Sequence, residues 1–249
     1  MLCDRVTNGA QAAADIDILR FLVEKAGLDV NAKDEDNRTP LAIHLDRTQK
    51  SGKLDYKLME YLVKKDADVN CTLTEYPDDI VPIALYKVMR SRRSINEDYI
   101  ELDDVCEYKV VKWLGDRGAD VVKAKCKNGR TLLHYAAAFG GTTLMKYLIE
   151  KGADVNEQAP LSKDQGRYCQ YGIGYGQTPL HCAVTAKAAP SGYRKKDQTN
   201  SLVTEAVKIL MEHGAEKSLQ IANAKGQTVL ELAGELNEDC SGAKEEIAK

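Results

Sequence analysis

The side chains able to act as nucleophile, general base or metal ligand are few and scattered. Histidine stands at 44, 134, 181 and 213, and cysteine at 3, 71, 106, 126, 169, 182 and 240. A protein zinc site draws its ligands in tight sequence pairs, and neither Cys-x-x-Cys nor His-Glu-x-x-His occurs. Cys169, His181 and Cys182 are placed to approach one another on folding but lack that pairing, so no metal is expected. The Gly-x-Ser-x-Gly nucleophile turn and the Gly-x-x-x-x-Gly-Lys-Ser/Thr phosphate loop are missing too. Gly172-Ile-Gly-Tyr-Gly176 misses the spacing of a dinucleotide-binding turn and reads as loop flexibility. With no acid–base or nucleophile constellation, neither an enzyme nor a cofactor is expected.

Other classes are disfavoured by composition. A net charge of −3 and a pI of about 5.9 supply no concentrated basic field for phosphate, so nucleic acid is an unexpected partner. The start, Met1-Leu-Cys-Asp-Arg, has no basic region followed by an apolar run, so no secretory signal is read there. No apolar stretch approaches the roughly 18 residues of a spanning helix. An odd number of irregularly spaced cysteines reads as free thiols in a reducing compartment, and the expected location is cytoplasmic. Cys106 and Cys126 read as small buried hydrophobes.

What must position any functional residue is a repeat. One segment recurs five times: Phe21-Leu-Val-Glu-Lys25, Tyr61-Leu-Val-Lys-Lys65, Trp113-Leu-Gly-Asp-Arg117, Tyr147-Leu-Ile-Glu-Lys151 and Ile209-Leu-Met-Glu-His213. Upstream apolar residues Ile18, Leu58, Val110, Leu144 and Ala206 extend each stripe at helical spacing. Each copy runs into turn chemistry, as in Gly27-Leu-Asp-Val-Asn31, Asp66-Ala-Asp-Val-Asn70 and Gly152-Ala-Asp-Val-Asn156. His213 suits the negative end of its helix. A second segment alternates with the first: Asn37-Arg-Thr-Pro-Leu-Ala42, Val81-Pro-Ile-Ala84, Thr131-Leu-Leu-His-Tyr-Ala136, Thr178-Pro-Leu-His-Cys-Ala183 and Thr228-Val-Leu-Glu-Leu-Ala233. Thr caps the first free amides, Pro begins a helix without wasting a donor, and Leu opens the buried face.

Thr-Pro-Leu-His-x-Ala alternating with Gly-Ala-Asp-Val-Asn resembles the ankyrin repeat. Thr178–Ala183 matches the motif outright, Thr131–Ala136 departs at Leu132, and the Val81 copy is weak. The resemblance covers roughly residues 2–236. It implies an all-α solenoid of stacked helix-turn-helix units joined by finger loops. The units fall at about 1–33, 34–72, 73–123, 124–157 and 158–220, with a cap at 221–236 and a polar tail at 237–249 that either frays or extends a last helix. The first helix of the first unit is expected at Cys3–Ala10. The motif histidines His134 and His181 are expected to bond structurally near their helix starts.

The spacing is less regular than the motifs. From Thr131 to Leu148 is 17 residues, but from Val81 to Leu114 is 33 and from Thr178 to Leu210 is 32. The step from Leu148 to Thr178 is 30, against 17 from Leu22 to Thr39. Extra residues therefore sit around 91–106, 187–202 and 157–176. Loops this long are functional or disordered. The segment 189–200 reads as a polar loop. The finger segment Arg167-Tyr-Cys-Gln-Tyr-Gly-Ile-Gly-Tyr-Gly176 carries three tyrosines among glycines, the chemistry of adaptable binding loops.

The resemblance implies a protein-binding module, an adaptor, scaffold or inhibitor, that works as a monomer. In this family insertion-rich stacks occur in intracellular bacteria, viruses and protists, where some act on host proteins. Its contacts cluster before the Thr and on the inner helix, which maps here to Asp36, Arg38, Lys127, Asn128, Arg130, Tyr135 and Phe139. Arg167, Tyr171 and Tyr175 join them from the enlarged finger. Tyr135 and Phe139 are expected to be substantially exposed. Two alternatives stand beside this reading. One is an enzyme whose site the insertions build. The other is a nucleotide or nucleic-acid binder using Arg90, Arg92, Arg93, Lys195 and Lys196.

Overall fold

The computed structural model describes residues 11–35, 38–44, 56–70, 104–125, 129–161, 175–185, 196–235 and 241–248. These fall in two compact units, one of residues 1–101 with 113–120 and one of 102–112 with 121–249. The expected helix at Cys3–Ala10, the weak Val81 copy and most of the three insertions lie outside the described residues.

In the first unit, α1 (Gln11–Glu24) and α2 (Tyr56–Lys64) carry the first two copies of the aromatic-Leu segment. Residues 40–44 are helical, and the Thr39 hydroxyl accepts from the Ala42 N–H at 3.3 Å. Leu41, Met59, Leu62 and Leu114 are fully buried. Leu114 lies near the end of α3 (Asp104–Gly115).

The second unit is two layers of helices. The inner layer is α4 (Leu132–Phe139), α6 (Pro179–Thr185) and α8 (Val229–Gly234), each entered through the Thr of its motif. The outer layer is α5 (Thr142–Glu150), α7 (Lys196–Glu212) and α9 (Ser241–Ala248). Helix α4 packs on α5 and α6, α6 on α7 and α8, and α9 on α7 and α8. Leu132, Leu133, Met145, Leu148, Leu180, Ile209 and Leu210 fill the space between. A 3-10 helix, Ala215–Gln220, follows α7, and His213 lies within 2.7 Å of the Ile209 carbonyl through Nδ1.

One sequence expectation is narrowed and one corrected here. Of the two readings of the tail at 237–249, a frayed end or a last helix, the structure has the helix, and α9 buries Ala243 and Ile247 against its neighbours. The polar loop at 189–200 gives way to helix from Lys196, which lengthens α7 to 17 residues.

The Asp-Val-Asn turns do more than end helices. Within each turn, Asp29, Asp68 and Asp154 accept from the N–H two residues on at 2.8 Å. Between turns, Asn31, Asn70 and Asn156 donate from Nδ2 to the carbonyls of Asp66, Gly118 and Gly214 at 2.8, 3.1 and 2.8 Å. Their Oδ1 atoms accept in return from Asp68 N–H, Asp120 N–H and the Ser218 hydroxyl, at 2.8, 3.0 and 2.7 Å. Each Asn is thus a two-way rung to the following repeat. Val122 occupies the same place in the third turn and has no side-chain amide. Asn156→Ala should therefore cost about 1–3 kcal/mol, the penalty for orphaning both partners. Val122→Asn should gain up to roughly 1 kcal/mol by completing the rung toward the turn at Gly152. Chemical denaturation of the two variants checks both; an Asn156→Ala midpoint equal to wild type would disprove the ladder's role.

Candidate functional site

The base of the enlarged finger in the second unit is a stalk fixed by hydrogen bonds on three sides. Its two arms bond to each other at the base, Ala159 N–H to the Gln177 carbonyl at 2.9 Å and Gly176 N–H to the Pro160 carbonyl at 3.2 Å. On one side lies the preceding finger. There Pro160 packs so closely that a Cβ on Gly129 would meet its Cδ at 2.2 Å, and Lys125 pairs with Glu157. On the other side Ala224 N–H donates to the Tyr175 carbonyl at 3.0 Å. Gln158 spans the stalk, donating from Nε2 to Gly176 and Ala222 carbonyls at 2.9 and 3.0 Å. The residues that border 162–174 are therefore held by backbone bonds at Pro160, Tyr175 and Gly176 and by the Gln158 side chain.

Two buried histidines tie this stalk to the helices beneath. His134 Nδ1 lies 3.2 Å from Thr131 N–H and 2.9 Å from its Oγ1, and Nε2 lies 3.1 Å from the Gln177 carbonyl. His181 repeats the arrangement with Thr178 at 3.3 and 2.9 Å and with the Gln227 carbonyl at 3.3 Å. A backbone N–H can only donate, so Nδ1 must accept and Nε2 carries the proton that reaches the next repeat. Burial pushes the His134 pKa down to about 3, with the Arg130 charge adding to it and the Gln177 bond opposing it. Burial lowers that of His181 as well. In α8 the same place in the motif is Glu231, which forms a capping box with Thr228.

Cys182 is equally sequestered. Its Sγ donates to Gln177 Oε1 at 3.6 Å, and burial raises its pKa to about 12, against a lowering by Arg130. The thiolate is the reactive form. Alkylation of the native protein at pH 8 should leave Cys182 unmodified, with labelling only at the rate of unfolding. Peptide mapping after iodoacetamide treatment checks this; rapid native labelling would contradict it.

The sequence-derived binding residues divide three ways. Arg130 and Tyr175 are brought together, the guanidinium carbon 6.0 Å from the ring centroid, but not as two exposed contacts. Arg130 is only 3% exposed and Tyr175 is half-buried. Arg130 is thus corrected from a tip contact to a side chain enclosed at the finger base. Arg38 is drawn onto its own finger by Asp34, which accepts from Nε at 2.9 Å and lies 2.8 Å from NH2. Tyr135 is half-buried, less open than expected, and the Phe139 side chain is not among those described. Asp36, Lys127, Asn128, Arg167 and Tyr171 lie outside the described residues. Sequence reasoning missed Gln158 and Gln177, whose only signal is their place at the finger base.

Among the described residues no group of three or more His, Cys, Asp or Glu side chains could hold a metal. No helix there is long and apolar enough to cross a membrane.

Stacked pairs of short helices, with Thr-entered inner helices and hairpin fingers bonded from one repeat to the next, define a helical repeat protein. Residues 105–190 match the family model for ankyrin repeats in three copies, and residues 175–223 match the single ankyrin repeat. The chain is an ankyrin-repeat protein with an all-α solenoid fold. An ankyrin repeat protein of Rickettsia bellii is 28% identical over 132 residues, covering 52% of this chain and 43% of its own length. One from fowlpox virus is 27% identical over 254 positions, covering 90% of this chain and 49% of its own length. The chain thus spans under half the length of these curated relatives. An ankyrin repeat domain from Acinetobacter baumannii has the same fold, with TM-score 0.63, 20% identity, and 95% of this chain and 93% of that one covered. A second solved ankyrin repeat protein gives TM-score 0.61 at 19% identity with the same coverages.

Proposed function

We propose that this chain is a protein-binding module that engages its partner through the enlarged finger and the inner helices beside it, and that it acts in the cytoplasm as an adaptor, scaffold or inhibitor. Ankyrin repeats are generally protein–protein interaction modules. The observation that carries the finger assignment is the clamped stalk. A loop whose ends are already fixed loses less entropy on binding, so its side chains deliver more of their contact energy as affinity. The segment between the two arms of the stalk in sequence, residues 162–174, includes Arg167, Tyr168 and Tyr171, the residue types enriched at binding hot spots. A non-catalytic role also agrees with the buried histidines and thiol. His134 and His181 are held neutral with both ring nitrogens engaged, and Cys182 is kept protonated.

The test compares the intact chain with one whose residues 162–174 are replaced by a short Gly-Ser loop, the stalk being left whole. Circular dichroism establishes that both fold. A partner captured from lysate, then purified, should bind the intact chain and lose at least tenfold in affinity for the loop variant. Equal affinity would move the contact to the inner helices. Failure of either form to bind any protein above a control would refute the module reading.

A further inference from the structure

The open face of α1 points to a second copy of this chain. Ile18 is 51% exposed and Phe21 63%. Their counterparts in every later copy of the segment are half-buried or buried: Leu58 and Tyr61, Val110 and Trp113, Leu144 and Tyr147, Ala206 and Ile209. Tyr61 shows what covers such a position, because its ring lies under Arg20 at 5.5 Å and its hydroxyl reaches Glu24 at 3.4 Å, both on the preceding helix. Glu24 is also paired with Lys65 at 3.0 Å, so that flank of α1 is committed to α2. The face centred on Phe21, with Ile18 and Lys25 on its far side and the exposed Asp17 on its border with that flank, is not.

Those four residues fall within about 100° of the helix circumference, with Phe21 between Asp17 and Lys25. Asp17 and Lys25 are exposed and lie about 6 Å to either side of Phe21 along the axis. When two copies of α1 pair antiparallel about a two-fold axis through Phe21, Asp17 of each faces Lys25 of the other, and the phenyl rings meet at the centre. The patch is self-complementary in both apolar surface and charge, which is the requirement of an isologous interface. Helix α9 offers this face no match, because it turns Ser241 and Glu245 outward. We propose that the chain forms a two-fold dimer through this face of α1, in place of the monomer expected from sequence.

Sedimentation equilibrium of the full chain over a range of concentrations tests this. The expected result is a reversible shift from the 27.5 kDa chain mass to twice that value. Phe21→Glu should abolish the shift while circular dichroism is unchanged, since this side chain is largely in solvent. Asp17→Lys should weaken dimerisation at least tenfold, and adding Lys25→Asp should restore it. Three results would overturn the proposal: a single chain mass at every concentration, a dimer indifferent to Phe21→Glu, or growth beyond two chains.

Discussion

Stability should fall steeply as the pH drops below about 6.5, and the fall should flatten in His134→Gln. The unfolded chain has ordinary histidines that protonate near pH 6.5. In the folded protein burial pushes the pKa of His134 down to about 3, and Nδ1 faces the Thr131 N–H, where a second ring proton would set donor against donor. Between these values the unfolded state binds more protons than the native state, so stability rises with pH. The contribution is fully present above about pH 6.5 and is lost as the pH falls toward the folded value, at about 1.4 kcal/mol per pH unit. From pH 7 to pH 5, His134 alone accounts for roughly 2 kcal/mol, and the lowered pKa of His181 acts in the same direction. Carboxylates contribute equally to wild type and variant, so the difference between their pH profiles isolates the histidine. His134→Gln should lose about 1–3 kcal/mol at pH 7 through its broken bonds. It should then run nearly parallel to the carboxylate background below pH 6. Denaturant midpoints at several pH values give both quantities, and equal slopes for the two proteins would show that His134 is not held neutral.

That bond from each histidine to the next finger explains why the fold was legible and the binding surface less so. The Thr, Leu and His of the motif act on their own helix or its nearest neighbour, so local spacing carries their roles. Exposure depends on the next repeat, which local spacing does not report. Leu230 stands where Leu41, Leu133 and Leu180 are buried, yet it is 44% exposed. Arg130 occupies a place that reads as a finger tip, but it is buried, with the Tyr175 ring beside its guanidinium. The Asp-Val-Asn recurrence was visible as turn chemistry, while the rung from Asn156 to Gly214 and Ser218 spans 58 and 62 residues and appears only in the stack. The last helix was obscured for a different reason. Ala243 and Ile247 make an apolar stripe of two residues, too short to read, and α7 and α8 supply the surface that holds it.

Gly176→Ala should be far more damaging than Gly152→Ala, although both glycines have a positive φ, +69° and +93°. An alanine in that region costs on the order of 1–2 kcal/mol from backbone strain alone. At Gly152 nothing lies within 4 Å of the added Cβ, so that strain is the whole effect. At Gly176 the Cβ would stand 2.4 Å from Leu161 Cδ2, 2.8 Å from Ala224 N and 3.2 Å from Asn223 C. The exposed Leu161 side chain can swing aside at little cost. The Ala224 backbone cannot, because its N–H is bonded to the Tyr175 carbonyl and Asn223 N–H to that of Gln227. Relief therefore requires the two fingers to part, breaking the Tyr175 bond and the Gln158 bridge to Ala222. Overpacking of this kind adds about 1–3 kcal/mol, for a total of roughly 2–5 kcal/mol. The functional consequence follows from the same geometry. With one side of the stalk released, residues 162–174 lose their fixed ends, so partner affinity should fall in Gly176→Ala even at temperatures where the protein remains folded. Hydrogen exchange at the Ala224 amide, measured beside the binding constant, separates the outcomes. Faster exchange with weaker binding means that the clamp serves recognition. Faster exchange with unchanged binding means that the stalk stabilises the fold alone and the partner is read elsewhere.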